Sequence, residues 1–135
     1  MSEENVELAR AAVAALNRRD FDAAFRDASP DAEIDLSRAV GLDQGVYSLD
    51  QFRRVTEEFT KSWESVRYGV DDYIDAGEHV VTPFTNFLRG RDGIEVQAQG
   101  TWLWTIRAGV IVRICLYQER QDALDAAGVN KPDVF

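Results

Sequence analysis

The sequence predicts an α+β fold, a cone-shaped curved antiparallel sheet wrapped around a long helix, in the order α-α-β-α-β-β-β-β-α. Two observations predict it. Apolar residues recur at helical spacing in the first half of the 135-residue chain, and they alternate with a period of two through most of the second half. Turn signals separate the alternating segments at hairpin spacing. A single domain spanning 1–135, with its core at about 5–129, accommodates all of these elements.

The first half of the chain is predicted to contain three helices, identified by helical spacing and capping residues, and one short strand. The first helix carries an apolar stripe at Val6, Ala9, Val13 and Leu16. Asp20 is placed to cap a short second helix, and a strand is predicted at 32–36. Ser48 followed by Gln51 has the spacing of a capping box and begins the long third helix. The buried face of that helix is predicted to be Phe52, Val55, Phe59 and Trp63.

Period-two alternation predicts four strands in the second half of the chain. They are expected at about 66–74, 78–90, 94–107 and 110–119. The turns that join them contain the glycines that hairpins favour. A final helix at about 120–127 ends at Gly128, a suitable residue for a left-handed C-terminal cap.

The composition argues against several classes of function. A net charge of −9 disfavours a nucleic-acid partner, because an acidic chain repels phosphate backbones. No apolar run approaches the ~20 residues of a membrane span, and the acidic N-terminus lacks the pattern of a signal peptide. No membrane association and a cytoplasmic location are therefore expected. Arginine outnumbers lysine by 13 to 2, a bias associated with GC-rich bacterial genomes.

The chain has one cysteine and one histidine, which limits its catalytic chemistry. Cys115 lies in an apolar run and is expected to be an inert buried thiol, and no internal disulfide can form. His79 has no neighbours at the spacing of metal ligands and is expected at a hairpin or in solvent. Neither a metal site nor a cofactor is predicted.

Several stretches of the chain resemble one family in their order and spacing. They are AALNRRDFD at 14–22, SPDAEI at 29–34, DLSRA at 35–39 with GVY at 45–47, YIDAGEHVV at 73–81, WTIRAGVIVR at 104–113 and RQDALDAAG at 120–128. Together they resemble the SnoaL-like branch of the nuclear-transport-factor-2-like (cystatin-like) superfamily, in a subgroup of undefined function. The resemblance implies the fold but no single activity, because this fold hosts isomerases, cyclases, hydrolases, dehydratases and non-catalytic binders.

The resemblance also implies where an enzyme of this family would hold its acid or base. The matching positions in this chain are Ala12, Leu36, Trp102 and Leu116. None of these side chains can transfer a proton, so the resemblance favours a binding protein over an enzyme.

Strand parity predicts which side chains line a pocket inside the cone. If Trp102 and Trp104 face inward, alternation places a largely apolar and aromatic set beside them. The predicted ligand-pocket residues are Ile34, Leu36, Thr82, Phe84, Asn86, Trp102, Trp104, Leu116 and Gln118, with Arg38 and Tyr47 at the mouth. Such a lining suits a small apolar molecule oriented by a few hydrogen bonds. The alternative is that these residues simply fill the cone as core.

Two further functions stay open. Asp35 would be the catalytic base of an isomerase-, cyclase- or hydratase-type enzyme if its strand bulges by one residue; otherwise it forms an ion pair or cap with Arg38. The opposite, outer face of the sheet carries Phe87, Leu103 and Tyr117 among polar residues. That face predicts a homodimer, and the protein would then serve as an interaction module.

Overall fold

Four helices and seven strands follow one another in residues 2–40 and 43–129, the parts of the chain that the computed structural model describes. The helices are α1 (Ser2–Asn17), α2 (Phe21–Ala24), α3 (Leu49–Ser62) and α4 (Arg120–Ala126). The strands are β1 (Ala28–Asp35), β2 (Val46–Ser48), β3 (Ser65–Val70), β4 (Ile74–Ala76), β5 (His79–Arg89), β6 (Glu95–Arg107) and β7 (Val110–Tyr117). The predicted α+β class is confirmed. The predicted domain also includes residues 1, 41–42 and 130–135, which lie outside the described residues.

Two short strands were not predicted. The strand β2 directly precedes α3, where no strand was predicted, and it pairs with β1. The predicted strand at 66–74 is in fact two strands, because β3 ends at Val70 and β4 begins at Ile74. Both β3 and β4 pair with β5, so the chain bends between them and remains on the same neighbour.

One open, curved sheet contains the strands in the order β2-β1-β7-β6-β5-β3, and β4 pairs with β5. The pairs β5–β6 and β6–β7 are antiparallel, as a meander requires. The pair β1–β7 is parallel, which the sequence prediction did not include. Parallel neighbours need a long connection, and here the chain between 36 and 109 supplies it. Such a distant pairing leaves no local signal in the sequence.

Each face of the sheet has its own apolar cluster. We call the face that packs against α1 and α3 the inner face. Its cross-strand partners include Ile34, Ile114, Trp104 and Val80. The opposite, outer face carries the alternate residues of each strand. Its partners there are Asp35, Cys115, Leu103 and Val81. The outer cluster is smaller and lies under α4, whose Ala123 is fully buried.

The last residue of α1 covers the free edge of β3. The side-chain Nδ2 of Asn17 donates to the carbonyl O of Tyr68 at 2.9 Å, and its Oδ1 accepts from the Tyr68 N–H at 2.7 Å. The amide thus takes the place of a neighbouring strand at this point. It satisfies two backbone groups that an edge strand would otherwise leave open.

The predicted start of α3 is confirmed, but its predicted buried face is only partly right. Ser48 Oγ accepts from the Gln51 N–H, and the Gln51 side chain accepts from the Ser48 N–H, which completes the capping box. The buried residues of the helix are Thr56 and Thr60. The predicted aromatic face is half-buried instead. The helix contacts mainly β1 and β2, at one side of the sheet, so this face is not fully covered.

Candidate functional site

The inner face brings together most of the residues that were predicted to line a pocket. Cross-strand pairing sets Thr82 opposite Trp102, and Trp102 opposite Leu116. Ile34 and Leu36 belong to the same cluster of buried side chains. The same alternation places Phe84, Asn86 and Trp104 on this face. Which of them can meet a ligand depends on how tightly each is packed.

One part of the inner face is closed core. The indole Nε1 of Trp104 donates a 2.9 Å hydrogen bond to Thr82 Oγ1, and both side chains are buried. This hydrogen bond satisfies the indole N–H of Trp104 within the core. Ile34 and Leu36 are completely buried, and Leu116 is nearly so. In this part of the sheet the packing fits the alternative in which the side chains fill the cone.

At the other part of the inner face, Phe84 and Trp102 of the sheet meet Phe52 of α3 and Phe25 at the end of α2. We call these four rings the aromatic cluster. Phe84 stacks on Trp102 with ring centroids 5.7 Å apart, and Phe52 meets Trp102 edge to face at 6.1 Å. Phe25 extends the row at 6.0 Å from Phe52. Because Phe25, Phe52 and Trp102 are only half-buried, apolar surface of this cluster stays exposed.

Gly100 makes the stack of Phe84 on Trp102 possible. It lies opposite Phe84 on the inner face, and a Cβ at this position would be 2.8 Å from Phe84 Cζ. That distance is shorter than real Cβ contacts allow. The absence of a side chain therefore lets the ring of Phe84 lie close to the backbone of β6.

Two polar groups beside the aromatic cluster have no hydrogen-bond partner within residues 2–40 and 43–129. They are the side-chain amide of Asn86 and the indole Nε1 of Trp102, and both side chains are half-buried. Because both side chains keep some exposed surface, these groups remain available to water or to the polar atoms of a bound molecule.

Asp35, the predicted base of the enzyme alternative, lies on the outer face. The strand β1 does contain one register irregularity, but Ile34 still faces inward, so Asp35 faces the opposite way. Its carboxylate accepts from the N–H and Oγ of Ser37 at 2.9 and 2.6 Å and from Arg113 Nη2 at 2.9 Å. The sheet thus separates Asp35 from the aromatic cluster.

The surroundings of Asp35 keep it ionised. Burial raises the pKa of this carboxyl, but the hydrogen bonds from Ser37 and the charges of Arg113 and Arg38 outweigh burial and hold the pKa below its ordinary 3.8. Arg38 Nη1 lies 3.6 Å from the carboxylate, which is the ion pair that the sequence also predicted. A general base works best with a pKa near the working pH, so this environment does not favour proton abstraction.

The residues predicted at the pocket mouth lie on different sides of the sheet. Tyr47 packs against the inner cluster, and its hydroxyl donates to the carbonyl O of Asp43 at 2.6 Å. Arg38 reaches the outer face, where its guanidinium lies 4.6 Å from the ring centroid of Tyr117. Gln118 follows β7, is exposed, and donates from Nε2 to the Arg38 carbonyl O at 2.8 Å. Arg38 and Gln118 therefore do not meet the aromatic cluster.

The sequence prediction missed three residues of this region, Phe25, Phe52 and Tyr68. Helical spacing indicated apolar faces for α2 and α3, but it does not show which strands a helix will cover. Tyr68 is the cross-strand partner of Asn86. Its alternation with Val66 and Val70 was a signal that could have placed it on the inner face.

A cavity of about 280 Å³ opens away from the aromatic cluster, between α1, α2 and β7. Its wall is mostly alanine, with Arg18, Arg26 and Asp27 among the lining residues. It shares no residue with the predicted pocket.

Within the described part of the chain, no three His, Cys, Asp or Glu side chains are arranged to hold a metal ion. Cys115 is a buried free thiol whose pKa is raised by burial. His79 lies on the outer side, with Nδ1 3.1 Å from Thr105 Oγ1. No helix in the same residues is long and apolar enough to cross a bilayer.

Solved structures share the fold at low sequence identity. An NTF2-like protein of Burkholderia thailandensis is 24% identical, with a TM-score of 0.72, covering 94% of this chain and 97% of its own. TerC, crystallised with polyporic acid, is 19% identical, with a TM-score of 0.71 and coverage of 93% and 98%. IdmH, a candidate polyketide cyclase of Streptomyces antibioticus, is 17% identical, with a TM-score of 0.72 and coverage of 91% and 97%. Such likeness shows the fold alone.

The family itself follows from the sequence match. No curated protein matches the chain significantly. The family model of the SnoaL-like domain, however, matches residues 9–114, which is most of the chain and extends from α1 into β7. The chain therefore belongs to the SnoaL-like domain family, as the resemblance of its sequence motifs predicted.

Proposed function

We propose that this SnoaL-like protein binds a small apolar molecule at the aromatic cluster of the inner face. One observation carries the proposal: half-buried aromatic rings and an unpaired side-chain amide share the inner face of the sheet. Phe52 and Trp102 leave apolar surface open, and the amide of Asn86, two residues from Phe84 on the same face of β5, has no partner among the described residues. An apolar surface with a few polar groups is the usual composition of a small-molecule site.

The sizes of the interactions rank the residues of the site. An aromatic pair contributes about 0.5–1.5 kcal/mol beyond the area that it buries, and that area itself adds roughly 25 cal/mol per Å². A neutral hydrogen bond contributes only about 1 kcal/mol. We therefore expect the ring of Trp102 to contribute more to affinity than the amide of Asn86, which would set the orientation of the ligand.

Binding without turnover is consistent with the residues at the positions where family enzymes hold proton-transfer groups. Ala12, Leu36 and Leu116 are buried apolar side chains, and Trp102 belongs to the aromatic cluster. Asp35 lies across the sheet in an ion-pair network. The crystal of TerC with polyporic acid supports a small organic ligand for this fold.

We propose in addition that two copies of the chain associate through the open part of the outer face. The helix α4 covers the region around Leu103, so that region is closed within one copy. The open part contains the half-buried Phe87, with the Arg67 guanidinium 4.1 Å from its ring centroid, and the exposed Gln97 and Gln99. Sedimentation of the full chain should show a dimer, and a monomer at every concentration would contradict this proposal.

Binding at the aromatic cluster is tested with a thermal-shift screen of apolar compounds on the full chain. Each hit is then titrated by calorimetry into the wild type and Trp102→Ala, and we expect the loss of the ring to weaken binding by about tenfold or more. Leu124→Ala is the matched control, because Leu124 is a half-buried apolar residue of the outer cluster. Circular dichroism checks that both variants are folded. If every hit binds Trp102→Ala as it binds the wild type, the proposal is wrong.

A further inference from the structure

The hydroxyl groups of Thr60 and Tyr68 form a hydrogen-bond chain whose direction can be deduced. Thr60 Oγ1 lies 2.8 Å from the carbonyl O of Thr56 and 2.8 Å from Tyr68 Oη. A carbonyl oxygen only accepts, so the single hydroxyl proton of Thr60 goes to Thr56. Tyr68 must therefore donate its own proton to Thr60.

This direction leaves Tyr68 Oη free to act only as an acceptor. No other hydrogen bond reaches this oxygen from the described residues. Burial raises the pKa of the Tyr68 phenol, and the bond to Thr60 and the charge of Arg19 offset only part of that rise. The phenol is therefore protonated at neutral pH, and its proton is already donated to Thr60 Oγ1.

Asn86 lies next to Tyr68 and provides both kinds of hydrogen-bonding group. The two residues are cross-strand partners on the inner face, where Cβ atoms of partners are about 4.5–5.5 Å apart. The free amide of Asn86 has an acceptor oxygen and two donor N–H groups. A ligand hydroxyl matches this pair, since it can donate to Tyr68 and accept from Asn86. An ether or a ketone could only accept, and Tyr68 Oη would stay unsatisfied.

The charge of the ligand is limited by the same surface. On β3, β5 and β6, every side chain of the inner face is uncharged. A positively charged ligand would lose its hydration here without meeting an opposite charge, and the charge of Arg19, which reaches Tyr68, would repel it.

Resting on the proposed function, we infer that the ligand is an aromatic molecule with a hydroxyl group and no positive charge. Its ring stacks at Trp102, and its hydroxyl is recognised by Tyr68 and Asn86. Tyr68 is then the residue that selects a hydroxyl group over a methoxy or carbonyl group, and Thr60 sets that selectivity by holding the proton of Tyr68.

The test uses two probes of similar shape, 2-naphthol and 2-methoxynaphthalene, titrated calorimetrically into the full chain. We expect the wild type to bind 2-naphthol about 5- to 10-fold more tightly, the effect of one neutral hydrogen bond. Tyr68→Phe should lose most of this preference while its affinity for 2-methoxynaphthalene is unchanged. Thr60→Val removes the acceptor of the Tyr68 proton, so Tyr68 can then donate to a ligand. The ether oxygen of 2-methoxynaphthalene can accept this proton, and this probe should therefore gain affinity relative to 2-naphthol.

The matched control is Gln121→Leu, which removes an exposed amide from α4, on the outer side of the sheet, and should leave both affinities unchanged. Equal affinity of the wild type for the two probes would overturn the inference while the binding site stands. An unchanged preference in both Tyr68→Phe and Thr60→Val would do the same. Binding of neither probe, or binding that Trp102→Ala does not weaken, would overturn the site and the inference together.

Discussion

Thr82 on β5 and Trp104 on β6 are joined by a buried hydrogen bond, in which the indole Nε1 donates to Thr82 Oγ1 at 2.9 Å. Thr82→Val keeps the shape of the side chain but leaves the indole N–H without an acceptor. We expect the free energy of unfolding to fall by about 1–3 kcal/mol, the cost of a buried unsatisfied donor. Urea denaturation measures this change.

The control for Thr82→Val is a double-mutant cycle with Trp104→Phe. Phenylalanine has no donor to leave unsatisfied, so adding Thr82→Val to Trp104→Phe should cost less than adding it to the wild type. Additive effects in the cycle would show that the hydrogen bond does not stabilise the fold.

Gly100 on β6 leaves no room for a side chain on the inner face. Gly100→Ala would place a Cβ 2.8 Å from Phe84 Cζ, so the ring must move away from Trp102. We expect a loss of about 1–3 kcal/mol in the free energy of unfolding, which is typical of overpacking. Phe84→Leu in the same chain should restore part of that loss, because the smaller side chain vacates the space. A Gly100→Ala variant as stable as the wild type would contradict this account of the stack.

The inner face was largely predictable, because it follows from alternation along single strands. Once Trp102 and Trp104 are assigned to one face, the positions of Thr82 and Phe84 follow from the period of two and from hairpins of short loop length. The SnoaL-like motifs predicted the fold because they too are local: they lie where one element joins the next along the chain.

The parts that were not predictable depend on contacts between distant segments. The parallel pairing of β1 with β7 and the docking of α3 decide which rings meet Trp102, and neither leaves a pattern within one element. The same applies to the partner of Asp35, because Arg113 is 78 residues away in the sequence. The face on which Asp35 lies was predictable, since alternation places it on the side opposite to Ile34.

Asn17 allows a test of how α1 is fixed to the sheet. Asn17→Ala removes both hydrogen bonds to the backbone of Tyr68 and leaves the edge of β3 open. We expect a loss of about 1–3 kcal/mol in the free energy of unfolding, at roughly 0.5–1.5 kcal/mol for each bond, and faster hydrogen exchange at the Tyr68 amide. Arg18→Ala is the control, because the neighbouring Arg18 is exposed and its side chain forms only a surface ion pair, with Asp20, among the residues that the structure describes. Protection of the Tyr68 amide that is equal in Asn17→Ala and the wild type would exclude this role.

Asp35 should make the stability of the protein depend on pH. Its pKa is lower in the folded chain than its ordinary 3.8, because Ser37, Arg113 and Arg38 together outweigh burial. A lowered pKa means that the stabilisation is fully present above the unfolded value and is lost as the pH falls through the folded value. In urea denaturation, the wild type should therefore exceed Asp35→Asn in stability at pH 7, and the gap should shrink below about pH 4. Ser37→Ala removes one of the two hydrogen bonds from Ser37 to Asp35. At pH 7, adding Asp35→Asn to Ser37→Ala should therefore cost less stability than adding Asp35→Asn to the wild type, but the cost should not vanish. A gap that stays constant from pH 7 to pH 3 would mean that the carboxylate charge of Asp35 does not stabilise the fold.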